Sequence, residues 1–296
     1  MRRKATKVIP RNYRLNAACV AVVVGCVALS ATKPATAAGT ATATSAATGT
    51  LRFTYENGEI SSGTELEVNK CCTHSLRISS LGRTGQRAVM SQLKYGDPAV
   101  EGGVRAESHT LHNEASHFRS GTTAYYGFSI YIPSTWEKDS REEIVFQWKP
   151  WRDKCEEQKW PSAFLAVQPT GKFQLRVNSD GNRCSTSASL QKASYNLADV
   201  QPGRWHDFVF HIKWSHGSDG ALTGWHQTHK TPGWKKVVSA TGANTFNDDA
   251  GTEGYLKWGL YKPAWNTAPT LVQNRVIFHD NVAVGTSFNA VDPAKN

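Results

Sequence analysis

Short runs in which every second residue is apolar recur along most of this chain, and they constrain its fold more than any other feature. Glycine, proline, asparagine and aspartate separate the runs, and no long amphipathic helix interrupts them. About 245 residues follow residue 50, a length that one β-sandwich or barrel reaches without dividing. This spacing predicts an antiparallel sandwich. The runs cover residues 51–55, 75–80, 88–95, 125–132, 143–149, 163–168, 172–178, 206–214, 223–228, 255–261 and 275–284.

The first 37 residues differ from the rest in composition and have the pattern of a secretory signal. A basic start precedes an apolar run at 17–31 that is too short to span a bilayer, and small residues close the segment at 35–37. Residues 38–50 are mostly alanine and threonine and predict a disordered lead-in. We therefore expect a signal peptide at 1–37, a lead-in at 38–50 and one folded domain at 51–296. The mature protein is expected to be secreted, without a membrane anchor.

The net charge of +10 at pH 7 arises mainly from the predicted signal. That segment holds seven of the 34 lysines and arginines and none of the 24 acidic residues, so the mature chain carries about +3. So modest a charge on an exported protein argues against nucleic-acid binding. An acidic partner must therefore be identified from local clusters of charge.

Residues 255–262 are the most informative of the apolar runs. Alternation along a strand places an ammonium group and two phenols on one face, at Lys257, Tyr255 and Tyr261. The intervening large apolar residues face the core. At about 3.3 Å per residue, Lys257 and Tyr261 lie roughly 13 Å apart, about the length of a disaccharide. A cationic face with phenols suits an acidic sugar chain.

Two further segments have the same construction. In 143–149, alternation predicts that Ile144, Phe146 and Trp148 face the core. The residues between them, Val145, Gln147 and Lys149, then point away from the core. In 103–109, the same rule places Arg105, Glu107 and His109 on one side.

In chain order, these three segments resemble the Arg-x-Glu, Gln-x-His and Tyr-Phe-Lys-x-Gly-x-Tyr signatures of jelly-roll polysaccharide lyases. That class contains alginate lyases, heparin lyase I and glucuronan lyase. The resemblance extends to residues 126–133 and 203–214, covers about 51–288, and is closest to the heparin lyase I and glucuronan lyase branch. It implies an all-β, concanavalin A-like jelly roll of two antiparallel sheets, one concave with a substrate groove. Lys149 departs from the pattern, because these families have histidine there.

The resemblance implies β-elimination on a uronic-acid polysaccharide, with glucuronan favoured over alginate or a heparin-like chain. The reaction removes the C5 proton and expels the O4 oxygen while the C6 carboxylate is neutralised. Gln147 and Arg105 fit the neutralising role, and Tyr261 can donate a proton to the leaving oxygen. The general base stays open between Tyr261, Lys149 and one of His109 or His112. A tyrosine base needs nearby positive charge, since its usual pKa is near 10.

The remaining residues of these strands are expected to bind the sugar chain. This binding set comprises Lys257, Tyr255, Glu107, His109 and the loop residue Trp151. The expected partner is an acidic polysaccharide bound by a monomer. The elimination requires no cofactor if Gln147 and Arg105 neutralise the carboxylate.

Four cysteines remain after the predicted signal, and an exported chain is expected to form disulfides. Pairing of Cys155 with Cys184 is favoured because it ties together the two ends of a hairpin at 163–178. Cys71 and Cys72 are then either bonded to each other or free.

Oxygen ligands for a structural calcium ion are also present in the sequence. Glu56 or Asn57 meets Asp280 if the first and last strands pair. The competing interpretation is that these are exposed turn residues.

Two other functions fit a secreted β-rich chain. A non-catalytic, lectin-like protein would keep the aromatic and cationic residues without needing Tyr261 in a reactive position. A jelly-roll glycoside hydrolase would use two carboxylates beside the scissile bond, but the chain has no Glu-x-Asp-x-x-Glu run.

Overall fold

Strands account for most of the regular structure in this computed structural model, which describes residues 49–60, 66–152, 154–155, 159–247, 251 and 253–295. The predicted signal and nearly all of the predicted lead-in lie outside the described residues. The strands are β1 (Leu51–Phe53), β2 (Glu67–Asn69), β3 (Leu76–Ser79), β4 (Ala88–Lys94), β5 (Arg105–His109), β6 (Thr123–Ile132), β7 (Glu143–Pro150), β8 (Ala163–Val167), β9 (Lys172–Ser179), β10 (Gln191–Asp199), β11 (Arg204–Lys213), β12 (Ala221–Thr228), β13 (Thr231–Thr241), β14 (Gly254–Tyr261) and β15 (Asn274–Gly285). Helical segments are short: α1 (Phe288–Val291) and two 3-10 turns at Glu114–Ser116 and Pro263–Asn266.

The strands form two antiparallel sheets, which confirms the predicted jelly-roll sandwich. One sheet has the order β13-β12-β11-β6-β15-β4-β3, with β1 also paired to β15. The other has the order β10-β9-β8-β7-β14-β5-β2. Because β5, β7 and β14 are distant in sequence but adjacent in this second sheet, the fold itself brings the three motif segments together.

The core lies between the two sheets and is rich in aromatic rings. Phe128 of β6 stacks on Phe146 of β7 with ring centroids 4.0 Å apart. The predicted core residues Trp148, Trp214 and Trp258 are fully buried. Burial of each such side chain stabilises the fold by roughly 2–3 kcal/mol at about 25 cal/mol per Å² of apolar surface.

Two long strands, β10 and β13, were not indicated by the apolar runs. Each lies at the edge of its sheet, and most of its side chains are exposed or half-buried. An edge strand that covers little of the core needs no alternation of apolar residues, which explains why the periodic signal is absent.

Two disulfides are present, and one of them is the predicted pairing. Cys155 is bonded to Cys184 across the ends of the β8–β9 hairpin, and Cys71 is bonded to its neighbour Cys72. Within the described part of the chain, no helix has the length and apolar character needed to cross a membrane.

Candidate active site

Three neighbouring strands bring the predicted site residues together on the face of the seven-stranded sheet that points away from the core. β14 lies between β7 and β5. Lys257 is paired with Gln147 on β7 and with His109 on β5. Further along β14, Tyr261 is paired with Arg105. Directly opposed side chains on one face of a sheet have Cβ atoms about 5 Å apart, so the three motifs form one cluster.

The buried carboxylate of Glu107 lies at the centre of this cluster. It accepts hydrogen bonds from the Lys257 ammonium at 2.9 Å, from Arg105 at 3.2 Å and from the amide of Gln147. Burial alone raises the pKa of Glu107, yet Lys257 and Arg105 hold it below its ordinary value. Glu107 was expected to bind the sugar, whereas its carboxylate accepts hydrogen bonds from three protein donors.

Gly259 lies opposite Glu107 and allows the two strands to approach closely. Its φ of +135° favours glycine, and an added Cβ would lie 2.2 Å from the carbonyl oxygen of Ala106. Any larger residue would push β5 away from β14. Glycine at this position therefore keeps Lys257 within reach of Glu107.

Tyr261 packs against Arg105 at one end of the cluster. The guanidinium carbon lies 4.1 Å from the centroid of the phenol ring. A Cβ added to Gly103 would lie 2.6 Å from the same ring, so glycine is needed there too. The ring also packs against a small apolar cluster of Ile144, Phe164 and Ala166. The buried Nε of Arg105 has no hydrogen-bond partner among the described residues.

Lys149 occupies the position at which the resembling families have histidine. Its ammonium group donates to the backbone carbonyl of Lys159. Burial, and then the positive charges of Lys257, Arg105 and other cations, lower the pKa of Lys149 to about 8. Lys149 is therefore a cation at neutral pH, and no carboxylate pairs with it in the described structure.

His109 lies at the other end of the cluster, beside Tyr255. Burial, followed by the charge of Lys257, lowers the pKa of His109 to about 4, so the imidazole is neutral at pH 7. Its Nδ1 makes no hydrogen bond within the described residues and lies 3.6 Å from a carboxylate oxygen of Glu67. His112, in contrast, has a largely exposed side chain and bonds the other oxygen of Glu67 at 3.2 Å. Burial raises the pKa of Tyr255 to about 12, which favours its neutral phenol.

Two adjoining cavities extend along this face and form one groove. The first, of about 620 Å³, includes Trp151, Arg152 and Tyr255 in its lining and is called the Trp151 cavity. The second, of about 430 Å³, includes Trp160, Phe164 and Tyr261 and is called the Trp160 cavity. Four cations line both of them: Arg105, Lys149, Lys159 and Lys257. The groove is therefore most basic at its middle, next to Tyr261.

A groove with this central cluster of cations and a phenol suits cleavage of acidic sugar chains, and residues 55–283 match the family model described as "Polysaccharide lyase". The chain belongs to the polysaccharide lyase family. No curated protein is significantly similar to this lyase in sequence.

Two solved lyases share the fold of this chain. An endo-β-1,4-glucuronan lyase from the fungus Trichoderma reesei superimposes with a TM-score of 0.69 at 23% identity, covering 83% of this chain and 99% of that one. A marine alginate lyase from Aplysia kurodai gives a TM-score of 0.53 at 12% identity, covering 72% and 87% of the two chains. These likenesses confirm the jelly-roll fold that the sequence motifs indicated.

The start of β7 differs from the alternation predicted for this lyase. Val145 lies in the main core with Phe146 and Trp148, whereas Ile144 lies in the groove beside Tyr261. The pairing of β7 with β8 shifts register between residues 144 and 146, and this irregularity reverses the side on which each residue lies. The prediction was therefore wrong for Ile144 and Val145, and correct for the rest of the strand.

Several groove residues were not found from sequence. Lys159, Phe164 and Arg176 line the Trp160 cavity, and Glu142 pairs with Arg176 there. None of them belongs to a recognisable motif. The sequence feature that could have located them is the favoured Cys155–Cys184 disulfide, because it ties the loop before β8 to the segment after β9.

The residues expected to hold calcium lie apart from the groove. The Glu56 carboxylate accepts the backbone N–H of Gln86 and Arg87, and Asp280 accepts those of Arg83 and Asn281. Asp280 is buried rather than exposed. Burial raises its pKa to about 7, and the charge of Glu56 contributes to this rise. The oxygens of both carboxylates thus accept backbone N–H groups, and the expected calcium ion stays a prediction.

The described residues contain one cluster of three potential metal-binding groups. It consists of Cys71, Cys72 and Asp97, and both of its sulfur atoms are in the vicinal disulfide. Disulfide sulfurs are not thiolate ligands, so this cluster does not form a metal site in the oxidised protein.

Proposed function

We propose that this polysaccharide lyase is secreted and cleaves glucuronan, a uronic-acid polymer, by β-elimination. The observation that carries the proposal is the placement of Tyr261 beside Arg105, in the most basic part of an open groove. The similarity in fold to a glucuronan lyase supports this polymer over alginate. Two disulfides agree with export, since such bonds persist in oxidising compartments.

Neutralisation of the C6 carboxylate is assigned to Lys149 together with Arg105. Gln147 and Arg105 were expected in this role, but the amide of Gln147 already donates to Glu107. Lys149 has no carboxylate partner in the described structure, and the Nε of Arg105 is unused. Their positive charge stabilises the enolate that develops as the C5 proton leaves. Gln147 and Lys257 then act indirectly, by holding Glu107.

Tyr261 is assigned as both base and acid. In a gluco-configured uronate, the C5–H bond and the C4–O4 bond lie on the same side, so one residue can serve both. The phenolate takes the C5 proton, the C5–H electron pair forms the C4=C5 double bond, and the C4–O4 bond breaks. The phenol then returns its proton to the departing O4. The guanidinium of Arg105 lies against the ring and stabilises negative charge on it.

The other candidate bases fit less well. Lys149 is mostly protonated at neutral pH because its pKa is about 8. His112 lies on the exposed rim, with a side chain that is 59% exposed. His109 is a neutral imidazole, but it lies roughly 13 Å along β5 from the pair of Arg105 and Tyr261. It is better placed to contact a neighbouring sugar, as are Tyr255 and Trp151 in the same cavity.

A structural calcium ion at Glu56 and Asp280 is part of the proposal. The two carboxylates accept hydrogen bonds from backbone N–H groups. The ion would add positive charge beside them. The proposed elimination does not pass through it.

A lectin without catalytic activity is the second candidate, because Lys149 replaces the family histidine. The hydrolase alternative is less well supported. Near Tyr261, the carboxylates of Glu107 and Glu142 are both held by cations, so neither is free to act as a general acid.

The deciding experiment follows absorbance near 235 nm, where the unsaturated product absorbs, while the mature protein is incubated with glucuronan, alginate and heparin in turn. We expect a rise with glucuronan that Tyr261→Phe abolishes. Tyr95→Phe, at an exposed tyrosine outside the groove, serves as the matched control and keeps full activity. Binding of polymer without any rise would favour the lectin.

A further inference from the structure

Trp160 presents an exposed indole ring to the groove, although the chain on either side of it is buried. It lines the same cavity as Tyr261 and is 57% exposed. Its neighbours Lys159 and Pro161 are both buried. The carbonyl of Pro161 also accepts a hydrogen bond from the buried amide of Asn178 at 2.7 Å. An exposed ring between buried neighbours is a preorganised surface on which a sugar can stack.

The ammonium group of Lys192 lies over this ring. Its Nζ is 5.6 Å from the ring centroid, within the reach of a cation–π contact. Lys192 belongs to β10 and is paired with Asn178 of β9, the residue that bonds Pro161. The fold therefore keeps the backbone of Lys192 beside the loop that carries Trp160. The two side chains are called the Trp160–Lys192 pair below.

The cations at this end of the groove differ in whether a protein carboxylate neutralises them. Arg176 bonds both oxygens of Glu142, at 3.0 and 2.7 Å. Lys192 is exposed, and the ring of Trp160 is its contact within the described part of the chain. Its positive charge adds to that of the four cations that line both cavities. The groove thus offers a polyuronate a further ammonium group, at a distance from the reacting sugar.

The strand order gives the scale of that distance. Between β14, which carries Tyr261, and β10, which carries Lys192, lie β7, β8 and β9. Four strand spacings of about 4.8 Å amount to roughly 19 Å, about the length of three sugars. A carboxylate bound by Lys192 therefore belongs to a sugar about three units from the bond that is cleaved.

We propose that the Trp160–Lys192 pair is a distal subsite that binds one uronate of the substrate chain. The indole ring packs against the sugar, and the ammonium group bonds its C6 carboxylate. The flexible stem of lysine lets the ammonium move from the ring to that carboxylate. The inference rests on the proposed function and deepens it, because it adds a site for a second uronate. A run of consecutive uronates is then the favoured substrate.

Oligoglucuronans of defined length test the role of Lys192. A trisaccharide is too short to reach Lys192 from the cleaved bond, whereas an octasaccharide reaches it. The readout is the ratio of kcat/KM for the octasaccharide to kcat/KM for the trisaccharide, followed at 235 nm. Lys192→Gln should lower this ratio about tenfold, the loss expected for one charge-assisted hydrogen bond. A wild-type ratio in Lys192→Gln overturns the inference.

Two further variants control for charge and position. Lys192→Arg keeps the positive charge and should retain the wild-type ratio within about twofold. Lys236→Gln removes the same charge from an exposed lysine of the other sheet and should leave the ratio unchanged. An equal drop in Lys236→Gln would assign the effect to net charge and overturn the distal subsite.

The ring is tested by the same ratio. Trp160→Ala should lower it several-fold because the stacking surface is lost. Trp160→Phe should lower it less, since an aromatic face remains. If Trp160→Ala keeps the wild-type ratio, the ring does not belong to the subsite.

Binding separates this inference from the proposed function. The octasaccharide is titrated calorimetrically into Tyr261→Phe and into Tyr261→Phe combined with Lys192→Gln. We expect Kd to be about tenfold weaker in the double variant. If the wild type binds the octasaccharide but never cleaves it, the proposed function fails, while the difference in Kd still decides this inference. Equal Kd values overturn the inference alone, and failure of the octasaccharide to bind overturns both.

Discussion

The guanidinium carbon of Arg105 lies over the ring of Tyr261, 4.1 Å from the ring centroid. The two residues are directly paired on β5 and β14, and Gly103 leaves room for the ring. A permanent positive charge is thus placed against the phenol that the proposed mechanism uses twice.

Arg105→Lys tests this relationship. A flexible ammonium keeps a positive charge but loses the planar contact with the ring. We expect kcat to fall about 100-fold with a smaller change in KM, since the contact acts mainly in the transition state. Arg77→Lys, at an exposed arginine outside the groove, should leave both constants unchanged. A change confined to KM would instead assign Arg105 to substrate binding.

Glu107→Gln tests how much the buried Glu107 carboxylate contributes to stability. The substitution leaves Lys257 and Arg105 buried without their shared carboxylate, which costs about 3–5 kcal/mol of unfolding free energy for a buried pair. Urea unfolding monitored by tryptophan fluorescence measures the loss. Glu114→Gln should change stability by less than about 0.5 kcal/mol. If the two variants prove equally stable, Glu107 is not the structural centre of the site.

The lowered pKa of Lys149 predicts a pH limit on activity. The ammonium form is present below pH 8 and is lost as pH rises through about 8. We therefore expect kcat/KM to fall above pH 8 as the C6 carboxylate loses its partner. In Lys149→Arg the charge persists, so the falling limb should move to higher pH. A limb unchanged in Lys149→Arg would indicate that another group titrates.

Buried imidazoles predict acid sensitivity of the fold. His206 and His226 contact each other at 3.0 Å, and burial lowers their pKa values to about 3 and about 4. Below the unfolded pKa near 6.5, these imidazoles bind protons in the unfolded chain but stay neutral in the folded chain. The free energy of unfolding therefore falls as pH drops from about 6.5 to about 4. Unfolding free energy measured across this window should decline, and His226→Gln should flatten the slope. His216→Gln, at an exposed histidine, should leave the slope unchanged.

Asp280 predicts the opposite trend near neutrality. Its raised folded pKa means that its contribution to stability is full below pH 4 and is lost as pH rises through about 7. Calcium added at pH 8 should raise the melting temperature by offsetting the charges of Asp280 and Glu56. The matched variant Asp280→Asn should lose most of this response. If added calcium leaves the melting temperature of the wild type unchanged, the proposed ion is contradicted.

Much of the seven-stranded sheet was predictable because its central strands obey simple alternation. Leu256, Trp258 and Leu260 lie in the core, while Lys257 and Tyr261 reach the groove. Alternation failed at Ile144 and Val145, where an irregularity in the pairing with β8 reverses the faces. Such an irregularity depends on the partner strand, so the sequence of β7 does not reveal it.

The sequence predicted which residues form the site better than it predicted how their charges pair. From sequence, Glu107 and Gln147 were expected to contact the sugar, but the sheet places them against each other and against Lys257. Lys149 has a backbone carbonyl, and no carboxylate, as its partner among the described residues. Which charges cancel depends on distances between strands that are remote in the chain.

The sandwich, the three motif strands and the favoured pairing of Cys155 with Cys184 could be predicted from the sequence, because alternation and cysteine placement are local properties of the chain. The folded structure was needed to show that the Arg105 guanidinium lies over the Tyr261 ring, that Glu142 pairs with Arg176, and that Lys149 lines both cavities. These relationships join strands separated by tens of residues or more, and interactions between charges depend on distance and burial, which the linear order does not encode.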